Sequence, residues 1–206
     1  MKLLIAIPTM DTVPVVFMEC LLRLTRRLSR QGVNYDVAIE SGTLVYMARD
    51  RLANKAINGD WTHVLWLDSD MVFSENILDD LQFCGEDFVT GIAHGRRKPF
   101  MSCVFKNIEL DHLERWKLED YPISAFEVAG CGMACVLIKT DILRAVNMKD
   151  GTCFTPFKNY GEDLSFCKRA AALGYKIWAE PTVRLGHVGH LIIWPDDCAR
   201  YLDEIH

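Results

Sequence analysis

With 206 residues, half of them hydrophobic, the chain can bury one sizeable α/β core, and its formal net charge of −5 argues against nucleic acid as a partner, whose footprint is a basic surface. Its eight cysteines include no Cys-x-x-Cys pair and mostly sit in apolar surroundings, so reduced, buried thiols are expected rather than a disulfide scaffold or a zinc site. A strand-like segment that starts at Lys2 leaves no room for a signal peptide, and no apolar run reaches the ~18 residues of a membrane span, so a soluble cytoplasmic protein is expected.

Residues 2–8 (KLLIAIP) form a short apolar run closed by proline and read as a first buried strand. A loop through Thr9 and Asp11 leads to Pro14, which suits a first helical turn. Phe17, Leu21, Leu24 and Leu28 then recur at helical spacing, with Arg23, Arg26, Arg27 and Arg30 elsewhere on the wheel and Gly32 as the stop. Residues 34–40 (NYDVAIE) read as a second strand, Ser41-Gly42-Thr43 as a turn, and residues 44–58 as a second helix ended by Gly59.

The segment from Trp61 to Phe73 is an almost unbroken apolar run that stops at Asp68-Ser69-Asp70, as expected of a strand covered on both faces in a parallel sheet. Such strands deliver their C-terminal ends to a ligand crevice. Strand geometry would set the two carboxylates roughly 6 to 7 Å apart on one side, and a turn at Ser69 would bring them closer. Paired carboxylates at such a place suit a hard divalent cation, yet Asp-Ser-Asp is also ordinary turn chemistry. Two successive strand-helix-strand units predict a right-handed, doubly wound parallel sheet.

Ser74 is expected to cap a short helix through Phe83, and residues 87–91 read as a fourth strand. The compact basic loop His94-Gly95-Arg96-Arg97-Lys98-Pro99 suits either a solvated surface or a contact to phosphate or an acidic acceptor. Residues 101–121 show no clear period. Residues 127–138 carry Gly130 and Gly132, where the backbone turns or approaches a ligand closely, or where a strand bulges. Thr140 or Asp141 is expected to cap a helix with Ile142, Leu143 and Val146 on its inner face. Gly161-Glu162-Asp163 opens a helix that runs to Leu173 and stops at Gly174, and the helix dipole alone favours acids at that end. Short strands over 175–179 and 182–185 lead to His187 and His190, and a C-terminal helix carrying Ala199, Leu202 and Ile205 closes the chain.

In this order the pieces resemble the nucleotide-sugar-dependent glycosyltransferases of the GT-A fold, most closely family 2 and its relatives. The resemblance spans nearly the whole chain. It rests on Ile7-Pro8-Thr9 after the first strand, an acid (Glu40) after the second, Ala48-Arg49 opening the next helix, and Asp68-Ser69-Asp70 as a DxD motif. The later block is Gly161-Glu162-Asp163, Arg169, Gly174 and His187. The chain departs from the pattern where Glu40 replaces the usual Asp and where Ser41-Gly42-Thr43 replaces a tighter turn.

The resemblance implies a single Rossmann-like GT-A domain over 1–206, with a mostly parallel sheet flanked by helices. Residues 1–99 would form the nucleotide-sugar-binding half and 100–206 the acceptor and catalytic half. Pro8, Thr9, Asp11 and Glu40 would line the nucleoside pocket, Arg49 would face the nucleotide, and Asp68 would contact ribose or metal. Asp70 and His187 would ligate manganese or magnesium, with His190 the competing histidine. Asp163 would be the general base of an inverting transfer, with Gly130, Gly132 and Glu162 near the donor sugar and acceptor. The donor is expected to be a UDP-sugar ahead of a GDP-sugar, and the acceptor a saccharide, a lipid-linked group or a protein. So short a chain must build its acceptor site from residues 100–160 or borrow it from a neighbour in a homo-oligomer.

Other classes fit less well. A nucleotidyltransferase needs a glycine-rich basic loop after the first strand, which Pro8-Thr9-Met10-Asp11 is not. A haloacid-dehalogenase-type phosphatase places its Asp-x-Asp nearer the N-terminus with a small polar residue where Val72 stands. A non-catalytic sugar-nucleotide or glycan-binding module has no need of both Asp163 and the metal set.

Overall fold

The computed structural model describes residues 1–189 and 192–196; His190 and the expected C-terminal helix with Ala199, Leu202 and Ile205 lie outside the described residues. In chain order the strands and helices are β1 (Lys2–Pro8), α1 (Val15–Arg30), β2 (Asn34–Glu40), α2 (Val45–Asn58), β3 (His63–Leu67), β4 (Met71–Val72), α3 (Ile77–Phe83) and β5 (Phe88–Gly91). They continue with β6 (Val104–Glu109), β7 (His112–Arg115), β8 (Phe126–Val128), β9 (Gly130–Cys131), β10 (Cys135–Lys139), α4 (Thr140–Asp150) and α5 (Glu162–Ala171). Strands β11 (Ile177–Glu180), β12 (Gly186–Val188) and β13 (Ile192–Ile193) end the described chain.

A seven-stranded sheet in the order β2-β1-β3-β10-β5-β11-β8 forms the middle of the molecule. Strand β1 pairs in parallel with β2 and with β3, so Pro8 ends opposite Glu40 and Ala6 opposite Trp66. Strands β1 and β3 are buried nearly end to end because helices cover both faces, while the partly exposed β2 forms the edge. Leu3, Ile5 and Ile7 pack with Phe17, Leu24 and Leu28 of α1 on one face, and Leu4, Ala6 and Trp66 pack with Leu52, Ala53 and Ala56 of α2 on the other. The small side chains of α2 bring its backbone close to the sheet. The same inner face carries Arg49, which is therefore buried as a charge.

The sheet is mostly parallel at its core and flanked by helices, as expected, while several finer expectations are corrected. Strand β10 lies antiparallel between β3 and β5, and β8 is antiparallel to β11. This β10 insertion joins the two halves of the chain into one sheet. The featureless stretch 101–121 contains the β6–β7 hairpin, whose alternation is broken by a register shift between Phe105 and Asn107. Residues 127–138 form three strands rather than one bulged strand, with β9 pairing to β6. Neither Thr140 nor Asp141 caps α4, because β10 runs straight into the helix and places Lys139 at the N-cap, where no side-chain cap bond forms. Residues 182–185 are not a strand. Val183 and Leu185 alternate inward because they fill the space over Gly91, where a Cβ would stand 2.7 Å from Val183 Cγ1. Helix α5 ends at Ala171, and Gly174 (φ 86°) closes the following turn.

Candidate functional site

A cleft opens at the C-terminal ends of β1 and β3 and the N-terminal end of α2, lined by Pro8, Thr9, Met10, Thr43, Asp68 and Asp70 among others. The chain turns sharply after β3, with the Met71 N–H donating to the Asp68 carbonyl at 3.1 Å, so Asp68 and Asp70 do not continue an extended strand. Backbone bonds from Asp68 N–H to the Ala134 carbonyl (2.9 Å) and from Val188 N–H to the Asp70 carbonyl (2.8 Å) hold the turn from both sides.

The two carboxylates serve two different cations. Asp68 Oδ1 accepts from Arg49 Nη2 at 2.9 Å, and Arg49 Nε lies 3.6 Å from Glu162 Oε1. Arg49 thus joins the β3 end to the start of α5. Its Nε and Nη1 are buried without a hydrogen-bond acceptor. Burial raises the Asp68 carboxyl above its ordinary range, even against the adjacent guanidinium.

Asp70 Oδ2 lies 3.0 Å from Arg96 Nη1 and 3.3 Å from His187 Nε2. Burial opposes charge on Asp70, but the His187 bond and charge and Arg96 outweigh it and hold the carboxyl below its usual value. The His187 ring is oriented from behind by the His94 carbonyl, 2.8 Å from Nδ1. Burial disfavours its imidazolium, yet the bonds to Asp70 and to that carbonyl prevail and raise its pKa. With Nδ1 donating to the carbonyl, the neutral ring aims an Nε2 lone pair at a carboxylate oxygen, an arrangement that calls for a proton or a cation between them.

Asp163 stands at the first turn of α5. Its Oδ1 accepts the Leu164 N–H at 2.7 Å, and its Oδ2 faces Gly132, where a Cβ would come within 3.6 Å of it and 3.3 Å of Cys103 Cβ. Burial, reinforced by the charge of Glu162, pushes the Asp163 carboxyl up to about 6. The loop before it is clamped between α2 and α5. Asp50 accepts the N–H groups of Cys153 (2.9 Å) and Phe154 (2.8 Å), while Arg169 donates to the carbonyls of Cys153 (3.0 Å) and Thr155 (2.8 Å).

The sequence matches no protein-family model and no curated protein. Solved structures do match. A197 from STIV shares 21% identity over 96% of this chain and 92% of its own, with a TM-score of 0.64. The catalytic domain of Drosophila β1,4-galactosyltransferase 7, in complex with xylobiose, shares 14% identity over 88% of this chain and 65% of its own, with a TM-score of 0.53. The fold is GT-A-like.

On this GT-A-like frame, Pro8, Thr9, Asp68 and Asp70 come together in one cleft. Arg49 lies beneath it, turned to Asp68 and Glu162. Asp11 is exposed on the loop after β1, and Glu40 ends the neighbouring strand with Arg51 Nη1 3.6 Å from its carboxylate. Gly130 is a packing position, since a Cβ there would stand 3.1 Å from Ile108 and Leu164 side-chain carbons, whereas Gly132 borders Asp163. Among the described residues no group of three or more His, Cys, Asp or Glu side chains is arranged to hold a metal. The convergent pair is Asp70 with His187. Reasoning from sequence did not single out Arg96, the His94 carbonyl or Asp50. The only signal for Arg96 was its place in a basic loop, and no sequence pattern marked the other two.

Proposed function

We propose that this chain is a glycosyltransferase that moves a sugar from a nucleoside-diphosphate sugar, UDP-linked ahead of GDP-linked, to an acceptor hydroxyl. What supports it most is the convergence, on a GT-A-like fold, of Asp70 and a carbonyl-oriented His187 at the same strand ends where Arg49 ties Asp68 to the start of α5. The Asp70–His187 pair fits a manganese or magnesium ion, one oxygen and one imidazole nitrogen facing each other with the ring's other nitrogen already bonded. When bound, the ion supplies charge neutralisation for the departing diphosphate.

The chain's own residues do the rest. Pro8, Thr9 and Thr43 shape the cleft that receives the nucleotide, with Asp68 on its floor. Asp163 takes the proton of the acceptor hydroxyl at Oδ2, while Oδ1 stays anchored on the Leu164 N–H. A carboxyl titrating at about 6 is ionised at neutral pH yet more basic than an ordinary one, which suits a general base. Gly132 leaves room beside that oxygen for the incoming hydroxyl. The acceptor, of the saccharide, lipid-linked or protein class, would present its hydroxyl beside Gly132. Inversion follows if the base stands opposite the leaving diphosphate.

The test is to incubate the protein with UDP-sugars and a panel of simple glycosides plus manganese, and to read the product anomer by NMR. Transfer with inverted configuration, lost in Asp163→Asn, supports the proposal. Donor binding with no transfer or hydrolysis across the panel would favour a non-catalytic sugar-nucleotide-binding module instead.

A further inference from the structure

Among the described residues Arg96 is the arginine that touches Asp70 of the Asp-Ser-Asp turn, beside His187. Its side chain is 51% exposed, against 4% for Arg49, and its Nη1 lies 3.0 Å from the same Asp70 oxygen that faces His187. Among the described residues its other bond is a long one, 3.4 Å, to the Val188 carbonyl. A half-exposed pair of this kind contributes little stability and is easily exchanged. The backbone beneath it is fixed. The Gly95 N–H donates to the Met101 carbonyl at 2.9 Å, the Phe100 N–H to the Arg97 carbonyl at 2.8 Å, and His94 bridges to Ser102. The guanidinium can therefore change partner by rotating its own side chain while the loop stays in place.

The Asp70 oxygen cannot serve Arg96 and a divalent cation equally, because the two positive groups would stand within contact distance of each other. A nucleoside diphosphate changes that balance, since its phosphate oxygens are the acceptors that a planar, two-pronged guanidinium fits best. We propose that Arg96 is the resident counter-ion of Asp70 and transfers to the donor's phosphate oxygens when a divalent cation is taken up by Asp70 and His187, a role that rests on the glycosyltransferase reading of the cleft. In the free protein Arg96 competes with the cation. In the complex it becomes a phosphate ligand. Cation and nucleotide are thereby coupled, since each removes the cost of accommodating the other.

The test is manganese binding followed by the paramagnetic signal of the free ion, and UDP binding by calorimetry at saturating manganese, in the wild type, Arg96→Gln and Arg96→Lys. Arg96→Gln is expected to bind manganese alone about tenfold more tightly than the wild type, because a competing charge is gone, and to bind UDP about tenfold more weakly. Arg96→Lys keeps the charge without the fork. It should leave manganese affinity unchanged and weaken UDP by a smaller factor. If manganese alone binds Arg96→Gln no more tightly than the wild type, or UDP affinity is unaffected, the proposed exchange is wrong. Asp70→Asn separates the two levels: if it abolishes manganese binding while Arg96→Gln changes nothing, the cation site stands and the role of Arg96 falls. A folded wild type that binds neither manganese nor manganese with UDP overturns the site and the exchange together.

Discussion

Asp68 and Asp70 are two residues apart in one turn, yet their arginine partners sit in opposite physical regimes. Asp68 is held by Arg49, whose side chain is 4% exposed and reaches Glu162 on another element; Asp70 is held by Arg96, 51% exposed, and by His187. The inner pair is structural because Arg49 is buried on the inner face of α2 and cannot be rehydrated without opening the core. The outer pair is replaceable because water and ligand can take over for either partner. One short motif thus carries one carboxylate tied to a buried arginine and one tied to an exposed arginine, and what separates them is which helix or loop delivers the arginine.

The largest effect should come from breaking the inner pole. Arg49→Ala leaves Asp68 and Glu162 without their shared cation and is expected to destabilise the fold by about 3–5 kcal/mol in denaturant unfolding, the usual cost of leaving a buried charge unpaired. Arg96→Gln should change stability by less than about 1 kcal/mol. Equal losses for the two arginines would erase the distinction.

Next comes Asp163, where function and stability should move in opposite directions. Asp163→Asn is expected to lower the transfer rate by about 10² to 10⁴ while leaving UDP and manganese binding intact. Its folded pKa of about 6 stands above the ordinary 3.8, so the group favours folding only while protonated. That contribution is full below pH 3.8 and lost as pH rises through 6. Asp163→Asn should therefore raise stability at pH 7.5 by on the order of 1–3 kcal/mol, read as a rise of a few degrees in Tm. The wild-type transfer rate should fall as pH drops below about 6, as the base is protonated, and a profile flat to pH 5 would remove Asp163 from the chemistry.

A smaller, sharper probe is Gly132→Ala. The new methyl would lie 3.3 Å from Cys103 Cβ and 3.6 Å from Asp163 Oδ2, the oxygen proposed to receive the acceptor proton. It should raise the KM for acceptor about tenfold, an effect comparable to other small steric losses at a binding site, with little change in UDP affinity. If UDP affinity fell instead, Gly132 would belong to the donor side.

These contrasts also mark what the sequence could disclose. Strands β1 and β3 and helix α1 are legible because their burial follows a simple period or an unbroken apolar run, and the Asp-Ser-Asp turn is visible where that run stops. The antiparallel insertion of β10 is not, since an apolar strand looks the same in either direction. Nor is the β6–β7 hairpin, whose alternation is broken by a bulge, or the 182–185 segment, which alternates for packing without a ladder. At the site, side-chain chemistry pointed to Asp68 and Asp70, while Asp163 and His187 were implied only by the resemblance to GT-A glycosyltransferases. It did not reveal which arginine belongs to which aspartate, because that depends on Arg49 facing inward on α2 and on a loop 26 residues beyond Asp70 returning to it, the separation by which Arg96 follows Asp70 in the chain. The carbonyl of His94 behind His187 is a backbone group and leaves no mark in a sequence.

The central claim is that Asp70 and His187 hold a divalent cation together with a nucleoside diphosphate, and thermal unfolding with UDP, manganese, both or neither tests it most directly. With each ligand at about one hundred times its dissociation constant, the pair should stabilise the wild type by roughly 2.7 kcal/mol or more, well beyond either ligand alone. Asp70→Asn should lose the manganese-dependent part and keep the wild-type Tm without ligands to within a few degrees. A wild type whose melting is indifferent to the combination, or an Asp70→Asn protein that responds to it fully, would contradict the account.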